Sequence, residues 1–77
     1  MKTARIVLYE GQPLRRELII EGNRRYASTY VWEARFLSGH PETKKALLFL
    51  SPEAVLKLHE ALGVRIAELK AAGHVKP

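Results

Sequence analysis

The fold is decided by one stretch of thirteen residues, RRYASTYVWEARF at positions 24–36. It carries three arginines and four aromatic residues, and all four aromatics stand at even positions: Tyr26, Tyr30, Trp32 and Phe36. Successive side chains of a strand point to opposite faces, so this spacing predicts one long strand with the four rings on a single face. Such a face is either part of a hydrophobic core or a surface on which nucleic-acid bases stack.

Turn and cap residues on both sides of this stretch place the other elements. Gly11-Gln12-Pro13 and Gly22-Asn23 predict turns before it, and Ser38 to Thr43 form a loop after it. Ser51-Pro52-Glu53 predicts a helix start with Ser51 as the N-cap, and Gly73 predicts the helix end. We expect an α+β fold of residues 1–77 as one domain: a four-stranded antiparallel curved sheet followed by one C-terminal helix, with strands at about 4–10, 14–21, 25–37 and 46–50 and the helix at about 52–72.

The predicted helix is apolar over more than one narrow stripe. Its main stripe consists of residues three or four positions apart, Val55, Leu58, Leu62, Ile66 and Leu69, and Leu56, Ala61 and Val64 widen it. A chain of 77 residues without cysteine has few means of stabilising a small core. The sequence therefore predicts a homodimer, with interface residues Leu56, His59, Gly63 and Ile66. Within this set, Gly63 either marks a bend or lets another backbone approach closely.

The net charge is +5, and residues 1–50 carry most of the excess, with nine lysines and arginines against five glutamates. This excess favours phosphate backbones or other anionic surfaces as partners. The sequence has no hydrophobic run near the roughly 20 residues of a membrane span and no signal-peptide core, so we expect a cytoplasmic protein without a membrane partner. Its acidic residues are all glutamates, and it has one Asn and one Gln, a composition typical of thermophiles.

Catalytic and metal-binding patterns are missing from the sequence. It contains neither Cys nor Asp, and none of its serines stands in a glycine-flanked elbow. The histidines His40, His59 and His74 fall in a loop, the helix and the tail, without the spacing of a metal site. We expect no enzyme activity, no metal and no cofactor.

The order β-β-β-β-α resembles the transcriptional coactivator positive-cofactor-four family, with whirly and Pur-alpha proteins as more distant cousins. The resemblance covers roughly residues 22–72 and rests on Glu33-Ala34-Arg35-Phe36, Lys44-Lys45 and the junction at positions 48–55, LFLSPEAV. It implies a dimer whose curved sheets form grooves for single-stranded DNA, with Arg35, Lys44 and Lys45 at backbone-contacting positions. The chain departs from the family at Ala46, where the family usually has Gly, and in its shorter and less basic loop at 38–43.

These observations predict a homodimer that binds single-stranded DNA or RNA with little sequence preference, for example as a transcription or DNA-maintenance factor. The predicted contacts are arginines, lysines and aromatic rings: Arg24, Arg25, Tyr26, Tyr30, Trp32, Arg35, Lys44 and Lys45. Two alternatives stay open. In one, the rings pack beneath the helix as core, and the chain is a protein-interaction or oligomerisation module. In the other, the cations are solvated edge charges that discourage sheet-to-sheet aggregation.

Overall fold

The computed structural model describes residues 3–22 and 25–76, which contain four strands and one helix. Their bounds are β1 Thr3–Glu10, β2 Leu14–Glu21, β3 Thr29–Leu37, β4 Thr43–Leu50 and α1 Pro52–Ala71. The strands form one antiparallel sheet in the order β1-β2-β3-β4. The predicted fold class, an α+β chain with a curved four-stranded sheet followed by a C-terminal helix, is confirmed.

Two strand starts differ from the prediction. Strand β3 begins at Thr29 instead of near 25, because its pairing with β4 ends where Thr29 meets Leu50, the last residue of β4. Tyr26 therefore lies outside the strand, and the alternation that predicted its place beside the other three rings does not apply to it. Strand β4 begins at Thr43 instead of 46, because its pairing with β3 extends to Arg35.

The turns form where the sequence places glycine, proline and serine. The Gly11 N–H donates to the carbonyl of Leu14 at 3.1 Å, and a Cβ at Gly11 would lie 2.6 Å from the Tyr9 hydroxyl, so a larger residue there would require the exposed Tyr9 ring to shift. At the helix start the Ser51 hydroxyl accepts the N–H of Ala54 at 3.2 Å, as predicted for an N-cap. Past the helix end, Gly73 adopts a φ of 80°, which favours glycine.

Strand pairing defines two faces of the sheet, because directly paired residues of antiparallel strands point to the same side. The first, which we name the aromatic face, carries Arg5, Val7, Arg15, Glu17, Ile19, Tyr30, Trp32, Ala34, Phe36, Lys44, Ala46 and Phe49. The second face is apolar toward the helix and charged toward the other end, with Ile6, Leu18, Ile20, Val31 and Leu48 in its apolar half and Arg16, Glu33, Arg35 and Lys45 in its charged half.

The buried core is small and lies within the sheet. Ile19 and Ala34 are fully buried on the aromatic face, and Val31 is 7% exposed on the second face. By contrast, α1 has no buried residue, and its main contact with the sheet is with β4. Strand β4 is apolar from Ala46 to Leu50, a run typical of a strand covered on both faces, yet Leu48 is 45% exposed and Phe49 63%. The described residues of the single chain leave this part of β4 open to solvent.

The dimensions of the chain also show that the helix does not fold back onto the sheet. Its radius of gyration is 15.1 Å, whereas a compact chain of this length is expected at about 11.5 Å. Its accessible surface is 6457 Å², whereas a compact monomer of this mass is expected to expose about 4,700 Å². The single chain therefore exposes much more surface than a compact domain.

Candidate nucleic-acid interface

Three of the four predicted rings share the aromatic face. Tyr30, Trp32 and Phe36 alternate along β3 with their side chains on this side of the sheet, and all three are half-buried. Phe49 of β4, which was not predicted as a ring of this face, pairs with Tyr30. Their rings meet edge to face, with centroids 5.1 Å apart and an interplanar angle of 86°. The aromatic face is thus a row of rings along β3, extended by one ring from β4.

Two cations lie over rings of this row. The Lys44 Nζ is 5.3 Å from the centroid of Trp32, and the Arg15 Cζ is 6.0 Å from the centroid of Phe36. Both are cation–π distances, which contribute about 0.5–1 kcal/mol at exposed sites. In the part of the chain that the structure describes, Lys44 makes no ion pair. Its charge is therefore available to an incoming anion.

The indole of Trp32 has an unsatisfied donor. Its Nε1 is buried and finds no hydrogen-bond acceptor among the described residues. An unpaired buried donor costs about 1–3 kcal/mol relative to a paired one. An acceptor brought by a ligand at this position would recover part of that cost.

The carboxylate of Glu17 also belongs to the aromatic face, and two arginines bind it. Arg5 Nη1 lies 2.9 Å from its Oε1, and Arg15 Nη2 lies 2.8 Å from its Oε2. The Glu17 side chain is only 8% exposed, so both arginines shield its charge. The electrostatic repulsion between Glu17 and an approaching phosphate is reduced accordingly.

A further ion pair joins the two edges of the sheet across the aromatic face. Arg5 Nη2 on β1 lies 3.8 Å from Glu42 Oε1, just before β4. Because Arg5 also binds Glu17, its guanidinium links β2 to the start of β4 on this face.

The charged half of the second face is built around Glu33. This residue is 7% exposed, and its Oε2 accepts hydrogen bonds from Arg16 Nε at 2.8 Å and from Arg35 Nε at 3.2 Å. The hydrogen bond from Arg16, together with that from Arg35 and the positive charge of both groups, lowers the pKa of Glu33 from its ordinary 4.5 to about 2. Lys45 is the strand partner of Glu33 on β4. We name these four residues the Glu33 cluster.

A depression of about 230 Å³ adjoins the Glu33 cluster at the start of β4. It is lined by Glu33, Arg35, Thr43, Lys44 and Lys45. Since ligand pockets for drug-sized molecules measure about 300–1,000 Å³, this depression suits a smaller group. Three of its lining residues, Arg35, Lys44 and Lys45, were predicted from the sequence as phosphate contacts.

The predicted nucleic-acid contacts do not all lie on one face of the sheet. Strand pairing places Tyr30, Trp32 and Lys44 on the aromatic face but Arg35 and Lys45 on the second face. The reason is the alternation of side chains along β3 and β4, which separates neighbouring residues such as Lys44 and Lys45.

The remaining predicted contacts precede β3. The Arg25 guanidinium carbon lies 5.9 Å from the ring centroid of Tyr26, and Tyr26 is 58% exposed. Arg24 lies outside the described residues. Neither Arg25 nor Tyr26 is tied by strand pairing to the aromatic face.

The predicted interface residues of α1 all lie on exposed surface. Leu56 is 65% exposed and Ile66 46%, and His59 and Gly63 are exposed as well. An added Cβ at Gly63 would have no atom within 4 Å among the described residues. These residues are available to a partner, but the single chain does not show one.

Four residues of the candidate interface and the Glu33 cluster were not predicted as contacts from the sequence: Arg15, Arg16, Glu33 and Phe49. The alternation of Arg15 and Arg16 along β2 was visible in the sequence, but their partners depend on how β2 aligns with β3. Arg15 stands opposite Phe36, and Arg16 stands opposite Arg35. Only the pairing of the strands reveals these neighbours.

Comparison with protein-family models, with curated proteins and with solved structures finds no match for this chain. No helix in the part of the chain that the structure describes combines the length and apolar character of a membrane span.

Proposed function

We propose that the chain is a homodimeric single-stranded nucleic-acid-binding protein with little sequence preference, and that bases stack on its aromatic face. The observation that carries this proposal is the row of Tyr30, Trp32 and Phe36 on one face of the sheet, with Lys44 and Arg15 over two of the rings. Rings supply stacking surfaces that accept any base, and the cations supply phosphate contacts. The family resemblance in the sequence points the same way.

Binding requires the two cations to leave the rings. Each cation–π contact contributes about 0.5–1 kcal/mol, whereas stacking of one base on an aromatic side chain contributes about 1–3 kcal/mol. The exchange is favourable because the base replaces the cation on the ring and the displaced Lys44 or Arg15 then pairs with a phosphate. An acceptor of the bound strand near Trp32 would also satisfy its unpaired Nε1.

The dimer in this proposal is supported by the area that one chain leaves exposed. Two separate chains expose twice 6457 Å², whereas a compact protein of the same total mass is expected to expose about 7,900 Å². The difference, about 5,000 Å², lies at the size of obligate homodimer interfaces. A second copy that covers α1, β4 and the apolar half of the second face would leave the aromatic face open to solvent.

Fluorescence anisotropy with an oligo(dT) strand of about 20 nucleotides, compared with a duplex of the same length, tests the proposed function. If Arg15 and Lys44 of both chains neutralise about four phosphates, the plot of log affinity against log salt should have a slope near −3 for the single strand. We expect Trp32→Ala to weaken binding roughly 5- to 150-fold, the equivalent of one stacked base. Absence of single-strand binding at about 50 mM salt would falsify the proposal.

Matched variants separate stacking from general charge. We expect Lys44→Ala to reduce the salt slope by about 0.7 per contact removed. Lys57→Ala removes the same charge from the exposed side of α1, where the side chain is 81% exposed, and should leave the slope unchanged. Equal effects of the two substitutions would show that binding follows net charge alone.

A second candidate function is favoured by the exposed apolar surface of α1 and β4. In this alternative the chain is an assembly module, and both this surface and the aromatic face serve contacts between proteins. The single tryptophan, Trp32, discriminates between them by its fluorescence. Quenching by oligo(dT) that is lost in Lys44→Ala supports nucleic-acid binding, whereas a spectrum indifferent to oligo(dT) supports the assembly module.

A further inference from the structure

We infer that the Glu33 cluster and its depression form a binding site for a tetrahedral oxyanion, a phosphate group, on the face of the sheet opposite the rings. The site does not depend on the proposed function, because its donors Arg16, Arg35 and Lys45 lie on the other side of the sheet from Trp32, and Lys44, which also lines the depression, is not among them. Arg35, Lys45 and Thr43 line the depression, and Arg16 adjoins it through its hydrogen bond to Glu33. Glu33 is the positioning residue of this site.

The hydrogen bonds of Glu33 fix both guanidinium groups without consuming them. Arg16 and Arg35 each donate through Nε, and both donate to the same oxygen, Oε2. The terminal Nη groups, which form the fork that matches phosphate geometry, have no acceptor among the described residues. Because a single buried oxygen holds both guanidiniums, they lie side by side before any ligand arrives.

The charges of the cluster favour an anion. Three cations, Arg16, Arg35 and Lys45, surround one carboxylate, so the cluster carries a net charge of +2. The shorter bond, 2.8 Å, joins Glu33 to Arg16, while Arg35 is bound at 3.2 Å and is 59% exposed. Arg16 thus compensates the carboxylate to a greater extent, and Arg35 presents its fork to the solvent.

The size of the depression supports a small ligand. At about 230 Å³ it falls below the range of pockets for drug-sized molecules. It has room for a phosphate group together with its water, and its lining combines Arg35, Lys45 and the hydroxyl of Thr43 as donors. A free phosphate ion and a phosphodiester of a nucleic acid offer the same chemistry to these donors.

The test uses the full chain with its arginine Nε–Hε groups labelled with ¹⁵N, followed by NMR. Sodium phosphate is titrated against sodium chloride at equal ionic strength. We expect saturable shifts of the Arg16 and Arg35 signals with phosphate and not with chloride. Identical shifts with the two salts would overturn the proposal.

The decisive variants are Glu33→Ala and Glu33→Gln, because positioning and simple charge predict different results for the pair. Removing the negative charge should strengthen phosphate binding equally in both if only the net charge matters. If Glu33 positions the arginines, Glu33→Ala should weaken binding about tenfold, whereas the amide oxygen of Glu33→Gln can still accept both Nε–H groups and should keep the binding. Equal or tighter binding by Glu33→Ala would overturn the positioning role.

Arg35→Lys provides a test that keeps the charge and the buried carboxylate. Lysine cannot reproduce the two-pronged contact of arginine with an oxyanion, so we expect weaker phosphate binding by several-fold. Unchanged affinity in this variant would contradict the site, and this readout remains if Glu33→Ala fails to fold.

A last titration distinguishes the two sources of the phosphate group. It also tests this site separately from the proposed function. In a Trp32→Ala chain, Arg16 and Arg35 signals that shift with oligo(dT) identify a phosphodiester as the ligand. Shifts with inorganic phosphate alone identify a free oxyanion. If oligo(dT) fails to bind the unmodified chain while phosphate still shifts both arginines, the proposed function is wrong and the oxyanion site stands.

Discussion

The sheet and the helix solve the problem of stability in different ways. The sheet buries Ile19 and Ala34 completely and holds two buried carboxylates between arginines. Helix α1 buries no residue, and its ion pairs, such as Lys57 to Glu60 at 3.8 Å, are exposed and contribute little. Because helical stability in proteins comes mostly from tertiary packing of an apolar face, the comparison teaches that the central strands are packed within one chain, whereas the helix is not.

The largest expected effect comes from substitutions on helix α1 that should separate the proposed dimer. Leu56→Glu combined with Ile66→Glu places two charges on the surface proposed to contact a second copy, where their desolvation opposes association. We expect the mass measured by light scattering to fall from about twice 8.7 kDa to 8.7 kDa. Lys57→Ala with Arg65→Ala changes the net charge equally and should leave the dimer intact. An unmodified chain that is already monomeric would contradict the dimer.

A large effect is also expected within the sheet. Ile19 is the only fully buried large side chain among the described residues, and Ile19→Ala leaves a cavity in its place. We expect it to lower the free energy of unfolding by about 2–5 kcal/mol, whereas Lys57→Ala, at a helix position whose side chain is 81% exposed, should change it by less than about 0.5 kcal/mol. Urea unfolding followed by circular dichroism measures both. A similar loss in both variants would show that sheet and helix are not stabilised differently.

An intermediate effect follows from the ionisation of Glu33. Its pKa is about 2 in the folded chain and near its ordinary 4.5 in the unfolded chain. A lowered pKa stabilises the fold fully above about pH 4.5, and this contribution is lost as the pH falls toward 2. Chemical unfolding at several pH values should therefore show a smaller acid dependence in Glu33→Gln than in the unmodified chain. Glu60→Gln, exposed on α1, should retain the full dependence.

The smallest expected effect tests whether a second backbone lies close to α1 at Gly63. In an isolated helix Gly63→Ala should add about 1 kcal/mol of stability, because glycine is a poor helix former. Nothing in the single chain obstructs a Cβ there. If a second backbone approaches at Gly63, the methyl group should instead weaken the dimer, and this is the result we expect. Sedimentation equilibrium at several concentrations distinguishes it from a simple gain in stability.

Much of the fold could be predicted because local rules decide it. Strand β2 has the predicted bounds, and the helix starts at Pro52 behind its Ser51 cap. The start of β3 could not be predicted from alternation, because it depends on where the partner strands end. Exposure of α1 and β4 was equally beyond reach, since an apolar stripe indicates that a surface is covered without indicating by which chain.

The candidate interface was predictable to a similar degree. Alternation placed Tyr30, Trp32 and Phe36 on one face correctly. It could not show that Lys44 lies over Trp32, or that Glu33 gathers Arg16 and Arg35, because those contacts join residues of different strands. The alignment of neighbouring strands, more than their composition, determines which charges meet.

The two buried glutamates have a consequence for errors in folding. Glu17 and Glu33 lie on opposite faces of adjacent strands, and each is bound by two arginines. If β2 slipped by one residue against β3, every side chain of β2 would change sides, and Arg16 of β2 would be separated from Glu33 of β3. A buried carboxylate that loses its arginine partners destabilises the misaligned pairing strongly. The same ion pairs that stabilise the correct sheet therefore disfavour misaligned strand pairings, both within one chain and between chains.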